Sequence, residues 1–560
     1  MIADLLAQHG VKKAFVCPGS RNAPLIVAIH RYPELQAEIV VDERSAAFMA
    51  LGYASLTGQP VAVVCTSGSA VLNFAPAVAE AFYRRVPLIV ISADRPAEWI
   101  DQDDSQTIRQ IGVLRNIVKE SYNVPVETGN PTQAWHINRT LNDAMLMAQS
   151  APQGPVHINV QLDAPLGQMA EGPFAAERKI SVVRPVAMLP TREARELAEE
   201  IASPRKVLII AGFMPPNGKV NTALLKFAAK PNVAVLHEAQ ANLHGGRRFI
   251  GNIDSVLSIL TAEEKEQLAP DVVITIGGSL VSRFVKAWLR QISAQHRGVE
   301  HWHVGLQPYS VDCFMGLTRR IEMETAPFLQ QLASGIQPHN APSDYSALWR
   351  SAADAADEAT AAYLKSAPWS DFLAMGQIIK HVPRGWNVQL SNGTAVRYAQ
   401  LFDYGQIHRI DCNRGVSGID GSTSTAIGAA LAYKQPTLLI TGDMSAQYDL
   451  GALAAKQIPQ NFKMAVLNNQ GGGIFRFVAS TAGLEEREEF FCQPVNLPLM
   501  ELARAFGFEY YRARSKQMLK TVWHLFAECT KPVMLEVETD GVLSAEVLKQ
   551  YFQRPRICKS

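Results

Sequence analysis

The chain predicts an α/β protein built from three doubly wound parallel sheets, and three observations predict it. Short β-branched runs alternate with helix-length segments from one end to the other. Those runs are nearly continuous in apolar character, as in strands covered by helices on both faces. Two turn-rich stretches, 177–190 and 335–343, divide the chain into thirds. The chain has 560 residues, whereas a single core rarely grows past ~250–300 residues. Three units are therefore expected, at 1–176, 191–335 and 345–560.

In the first unit, strands are expected at 13–17, 38–41, 61–65, 88–92 and 156–160. The second unit repeats the pattern with strands at 207–210, 233–236 and 272–276. An alanine-rich, well-charged helix over 345–365 leads into the third, whose strands are expected at 388–390, 407–410, 437–440, 464–467 and 533–537. No short-period repeat is present.

Composition excludes several classes of function. Hydrophobic residues make up 48% and charged residues 19%, an ordinary folded mixture. Lys plus Arg at 53 balances Asp plus Glu at 52, for a net charge of +1, so no bulk positive field draws nucleic acid or an anionic membrane. No apolar run approaches the ~18–20 residues of a membrane span, and no stable membrane insertion is expected. The opening residues, with Asp4 and no basic start, do not read as a secretory signal. Seven cysteines (Cys17, Cys65, Cys313, Cys412, Cys492, Cys529 and Cys558) are scattered with no C-x-x-C spacing. That pattern speaks for reduced thiols and a soluble cytoplasmic protein.

Ligands of doubly wound sheets lie beyond the carboxyl ends of strands, so those positions carry the functional reading. The first strand runs into Cys17-Pro18-Gly19-Ser20-Arg21-Asn22-Ala23-Pro24, a glycine turn that opens a helix. Arg21 can fork onto a carboxylate or phosphate there, although alone the segment reads equally as an ordinary capped turn. The second strand ends in Asp42-Glu43-Arg44, where an acid can exchange a proton or simply pair with Arg44 at the surface. The third and fourth deliver Thr66-Ser67-Gly68-Ser69 and Ala93-Asp94-Arg95-Pro96, followed by Ser105-Gln106.

In the last third, one strand ends in Gly442-Asp443-Met444-Ser445-Ala446 and the next in Asn468-Asn469-Gln470-Gly471-Gly472-Gly473-Ile474-Phe475. Asp443 and the Asn469 amide are hard oxygen donors, and a glycine carbonyl can supply a third. Such partial sets suit Mg²⁺, which completes its octahedron with phosphate and water. The helix start after Gly442 turns its positive end toward those phosphates. Competing motifs fail: residues 212–219 have the wrong P-loop spacing, and no dinucleotide fingerprint or nucleophile elbow occurs. His301 and His303 alternate without a third ligand, as core or surface histidines do.

An acid after the second strand of one unit, combined with Gly442-Asp443 and Asn469 in another, resembles the thiamine-diphosphate enzymes of the pyruvate-oxidase type. The resemblance implies a pyrimidine-binding first domain, a central domain and a diphosphate-binding third domain. The ordered set Pro18 to Pro24, Asp42-Glu43-Arg44, Thr66-Ser67-Gly68, Ala93 to Pro96, Asn413 to Gly421 and Gly442-Asp443-Met444-Ser445 is similar to a narrower family. That family is the 2-succinyl-5-enolpyruvyl-6-hydroxy-3-cyclohexene-1-carboxylate synthases of menaquinone biosynthesis. Met444 replaces the usual glycine of the broader motif.

The resemblance implies decarboxylation of 2-oxoglutarate and 1,4-addition of the succinyl carbanion equivalent to isochorismate. It implies thiamine diphosphate with Mg²⁺, or Mn²⁺ in its place, and a homodimer or dimer of dimers. Glu43 becomes the catalytic acid/base on the aminopyrimidine. Cofactor contacts fall to Glu43, Gly393, Thr394, Ile419, Ser445, Ala446, Asn469, Gly473 and Ile474, and the metal to Asp443, Asn469 and the Gly471 carbonyl. Substrate contacts fall to Ser20, Arg21, Arg95, Ser105, Gln106, Arg283, Arg397, Arg414, Ile474 and Phe475. Arginine suits dicarboxylates because its planar fork pairs bidentately with a carboxylate. Two departures stand out: Gly393 replaces a common serine, and Arg283 replaces a lysine, with Lys286 one helical turn later. Another thiamine-dependent 2-oxo-acid carboligase or decarboxylase, or a non-catalytic relative, are the alternatives.

Overall fold

A computed structural model describes all residues except 165, 168–175, 203, 296–297, 336–342, 493–496 and 557–560. Most of the second expected linker, and Cys558, lie outside the described residues. The first linker, 177–190, has no regular structure and crosses the N-terminal helix Ile2–Gln8, where the Glu177 N–H donates to Asp4 Oδ2 at 2.9 Å.

Three parallel sheets carry the chain. The first holds β1 (Lys13–Val16), β2 (Gln36–Ile39), β3 (Val61–Cys65), β4 (Leu88–Asp94), β5 (Ser121–Val124) and β6 (Val156–Gln161), in the order β2-β1-β3-β4-β6-β5. The second holds β7 (Val207–Ala211), β8 (Val233–His237), β9 (Val272–Ile276), β10 (Glu300–Val304) and β11 (Leu317–Ile321), in the order β11-β10-β9-β7-β8. The third holds β12 (Asn387–Leu390), β13 (Arg409–Cys412), β14 (Thr437–Gly442), β15 (Phe462–Asn468), β16 (Glu509–Ala513) and β17 (Val533–Glu538), in the order β13-β12-β14-β15-β17-β16. The third sheet thus repeats the winding of the first. Each sheet falls inside one expected unit. The helix Tyr345–Ser366 bridges two: Tyr345 and Trp349 bury in the central core, while the Tyr363 hydroxyl donates to the Val547 carbonyl at 2.8 Å in the third.

Interior strands lie where the apolar runs place them. The edges differ. β2 begins earlier than expected, leaving Val41 76% exposed beyond its end. β13 begins later than expected, and β5, β11 and β16 were not anticipated. An edge strand buries one side only, so it needs no continuous apolar run: β16 reads Glu-Tyr-Tyr-Arg-Ala and β11 Leu-Thr-Arg-Arg-Ile. β10 is interior but carries His301 and His303, whose rings each lie 2.9 Å from Thr275 Oγ1 in the buried core.

The first and third units meet through the helices that follow their second strands, Glu43–Thr57 and Ser422–Ala432. The former starts with Asp42 accepting from the Ser45 N–H at 3.2 Å and ends at Gly58 with φ 68°, a left-handed stop that glycine takes without steric cost. The latter is built of small residues and is buried on nearly all sides. A Cβ on Gly52 would lie 1.9 Å from the Thr425 carbonyl oxygen, and one on Gly428 would lie 2.0 Å from that of Met49. The crossing is therefore reciprocal and backbone to backbone.

No helix among the described residues is long and apolar enough to cross a membrane, and the six described cysteines are free.

Candidate active site

At the ends of the first sheet, turns pack closely enough to gather polar groups. A Cβ on Gly19 would fall 2.3 Å from that of Thr66, so glycine lets the turns after β1 and β3 touch. Gly68, at φ 82°, approaches the Gln106 backbone, and buried Gln110 ties the loops together. It accepts from the Gly68 N–H at 2.7 Å and donates to the Ala93 carbonyl at 3.0 Å. Sequence reasoning missed Gln110; a lone glutamine carries no spacing signal.

These turns bring the first group of expected substrate residues together. Arg21 donates to the Leu162 carbonyl at 2.9 Å, and burial and its neighbour Arg95 lower its proton affinity. Arg95 pairs with Asp104 at 2.5 Å and donates to the Ser105 carbonyl at 3.0 Å. Ser20, Ser105 and Gln106 are exposed beside them. Glu43 is half-buried at the head of its helix, and among the described residues no hydrogen bond or ion pair occupies its carboxylate. Its charge helps to raise the proton affinity of the buried thiols Cys17 and Cys65.

At the end of β12, fully buried Ser391 accepts from the Gly442 N–H at 3.3 Å. Asn392, which sequence reasoning passed over, donates to the Asn413 and Gly418 carbonyls at 2.6 and 2.7 Å and accepts from Arg414 at 2.9 Å. Its signal was its place before Gly393. Gly393 has φ 94° with open space where a Cβ would stand, so the backbone angle, not crowding, favours glycine over serine. Glu80 of the first unit accepts from the Gly415 and Val416 N–H groups at 2.7 and 2.6 Å, which fixes the Arg414 loop from outside its own unit.

Arg397 donates to the Gly393 carbonyl; burial, with Arg283 and Arg414 nearby, pushes its guanidinium down to about 10. Exposed Arg283 and buried Thr394 share with Arg397 a cavity of about 630 Å³ between the central and third units. Lys286 donates to the Leu280 carbonyl at 2.6 Å and borders, with Arg414, a second cavity. The structure thus gathers Arg283, Arg397 and Arg414 into a second group.

The expected metal residues sit at the ends of β14 and β15. Asp443 is buried; it accepts from the Met444 N–H at 2.7 Å and the Gly471 N–H at 2.9 Å. Burial, reinforced by the Asp371 charge, pushes its carboxyl up to about 7. Asn469 donates to Asp371 Oδ2 at 2.6 Å, while its Oδ1 is buried with no partner. An orphaned amide oxygen beside a buried carboxylate has the chemistry of a hard-cation site. Among the described residues no group of three or more His, Cys, Asp or Glu could hold a metal. The Gly471 carbonyl, the third expected donor, also accepts from the Gly473 N–H at 3.0 Å. Ser445 donates to the Ile419 carbonyl at 2.6 Å, joining the helix start to the segment 413–421, with Ala446 buried behind it. Ile474 and Phe475 form the half-buried turn beyond, where the Phe475 ring lies 5.6 Å from Phe491.

Comparison with known proteins places these features. Residues 1–113 match the thiamine pyrophosphate enzyme N-terminal TPP binding domain, and residues 392–537 match the corresponding C-terminal domain. The chain is 39% identical over 560 residues to a 2-succinyl-5-enolpyruvyl-6-hydroxy-3-cyclohexene-1-carboxylate synthase of Porphyromonas gingivalis, covering 99% of this chain and 96% of the relative. Proteins of that name from Flavobacterium johnsoniae and Cytophaga hutchinsonii are 37% and 35% identical, over 99% and 98% of this chain and 98% and 97% of their own. A chain that matches such relatives from end to end, and both cofactor-domain profiles, belongs to the 2-succinyl-5-enolpyruvyl-6-hydroxy-3-cyclohexene-1-carboxylate synthase family of thiamine-diphosphate enzymes.

Proposed function

We propose that the protein decarboxylates 2-oxoglutarate and adds the resulting succinyl carbanion equivalent to isochorismate in a 1,4 sense, as a step of menaquinone biosynthesis. One observation carries the choice of substrates. Two groups of arginines, Arg21 with Arg95 and Arg283 with Arg397 and Arg414, stand near the strand ends that bear the cofactor residues. Both substrates are dicarboxylates, and guanidinium groups in a partly dry site offset such charge well.

Thiamine diphosphate, when bound, supplies the nucleophilic carbon and the electron sink for decarboxylation. Glu43 would hold a proton at the aminopyrimidine N1′, and its unoccupied carboxylate supports that role. Ile419 would wedge beneath the cofactor, with Gly393, Thr394, Gly473 and Ile474 around it. Asp443, Asn469 and the Gly471 carbonyl would hold Mg²⁺, or Mn²⁺, with Ser445 and Ala446 at the diphosphate. Ser20, Ser105 and Gln106 would supply polar contacts to substrate, and Phe475 an apolar wall.

The pyrimidine-binding unit is assigned to 1–176, the central unit to 191–335 and the diphosphate-binding unit to 345–560. Glu43 lies in the first unit and Asp443 and Asn469 in the third, and that division supports an active site completed by a second subunit, hence a homodimer or a dimer of dimers. Balanced charge and the lack of a spanning helix among the described residues support a cytoplasmic location without membrane insertion.

The test is CO₂ release from 2-oxoglutarate or pyruvate with thiamine diphosphate and Mg²⁺, with and without isochorismate. Release from 2-oxoglutarate that depends on isochorismate is expected. Preference for pyruvate, or release independent of the acceptor, would replace this reading with a different carboligase or a simple decarboxylase.

A further inference from the structure

We propose that Asp371 is a positioning residue of the metal site, whose carboxylate decides which end of the Asn469 amide faces the cation. The inference rests on the reading of Asn469 as a metal ligand. An asparagine side chain ends in an oxygen and an NH₂ of similar size and opposite hydrogen-bond sense, and only the oxygen binds a hard cation. Nothing within Asn469 selects between them.

Asp371 makes the selection from a fixed position. It is buried at the start of the helix Asp371–His381, which Ser370 caps. Its N–H donates to Ser544 Oγ at 3.0 Å, its Oδ1 accepts from Thr539 Oγ1 at 2.5 Å, and its Oδ2 accepts from Asn469 Nδ2 at 2.6 Å. The register of β15 with β17 pairs Asn468 with Glu538 and so brings Asn469 beside Thr539. With Oδ1 accepting from Thr539, Asp371 offers Oδ2 as an acceptor, and the NH₂ end of Asn469 satisfies it. The Asn469 oxygen is thereby left free, buried and without a donor, in the turn whose Gly471 N–H holds Asp443. Gly473 preserves the arrangement, because a Cβ there would lie 2.7 Å from Asn469 Nδ2.

Replacing the carboxylate with an amide supplies a donor and allows Asn469 to turn its oxygen away from the metal. Loss of an outer-shell partner of this kind typically costs about 10–100-fold in metal affinity. The experiment measures Mn²⁺ binding in the presence of thiamine diphosphate, read from the EPR spectrum of the bound ion, on the full chain. Wild type, Asp371→Asn, Asn469→Ala and the double variant are compared. Asp371→Asn should bind Mn²⁺ about 10–100-fold more weakly, with an unchanged far-UV circular dichroism spectrum, and the double variant should bind no more weakly than Asn469→Ala alone. Should Asp371→Asn fail to fold, Thr539→Val loosens the same carboxylate and should weaken binding a few-fold, again with no added effect when Asn469 is alanine.

Wild-type affinity in whichever of these two variants folds, with Asn469→Ala weakened, overturns the inference and leaves the metal reading standing. Fully additive losses overturn it too, since they assign Asp371 a general structural role. Wild-type affinity in Asn469→Ala removes the metal reading itself.

Discussion

In the first unit, only residues 40–42 separate the second strand from its helix, and they set Glu43 at the helix head. At the equivalent place in the third unit, residues 413–421 intervene and carry Arg414 and Ile419. Elsewhere the two sheets share one winding. The third unit also loads the ends of β14 and β15 with Asp443 and Asn469, where the first has small residues after β3 and Arg95 after β4. Shared topology decides where strand ends gather. On the proposed assignment, the length and residue content of each connection decide whether that place exchanges protons or holds charge.

The largest way to break this division is Glu43→Gln. On the proposed mechanism it should slow CO₂ release by about 10²–10⁴-fold, the range of general acid–base catalysis. Mn²⁺ and thiamine diphosphate binding, followed by EPR and calorimetry, should stay within a few-fold of wild type. If binding fell as far as turnover, the first unit would be a binding element like the third.

A smaller effect should come from the contact that joins the two units. Gly52→Ala places a methyl against the Thr425 carbonyl, and overpacking of this kind costs about 1–3 kcal/mol. Urea unfolding should show a lower midpoint. An unchanged midpoint would mean that the helices part without penalty.

The smallest is a difference in acid response. His157, on β6, is buried between Ser92 Oγ at 2.8 Å and Ser121 Oγ at 3.3 Å, and burial pushes its imidazole down to about 4. Among the described residues the third unit has no buried histidine. A histidine held neutral in the folded state costs stability as pH falls from its unfolded value of about 6.5 toward 4, by up to ~1.4 kcal/mol per pH unit. In urea titrations at pH 7 and 5, His157→Gln should lose less stability on acidification than wild type.

How much of this was legible follows the same contrast between interior and edge. Central strands such as β3 and β7 are apolar at every position, so composition alone located them. The edges β5, β11 and β16 mix polar and apolar residues because one side faces outward, and they left no such mark. Asp443 and Asn469, the proposed metal residues, could be singled out because they follow apolar strands directly. Asp371, Asn392, Gln110 and Glu80 could not, since their partners lie far away in sequence and only the folded chain sets them side by side.

The reciprocal glycine crossing has a mechanical consequence. Where helices meet through side chains, rotamers can swivel to absorb a slide. Gly52 and Gly428 leave no such cushion, because the Thr425 carbonyl lies where a Cβ on Gly52 would be and the Met49 carbonyl where one on Gly428 would be. A displacement along one helical axis must then carry the other helix with it. Glu43 heads one of these rods and Gly421, two residues past Ile419, caps the other. Within each chain, the two therefore share a single rigid frame.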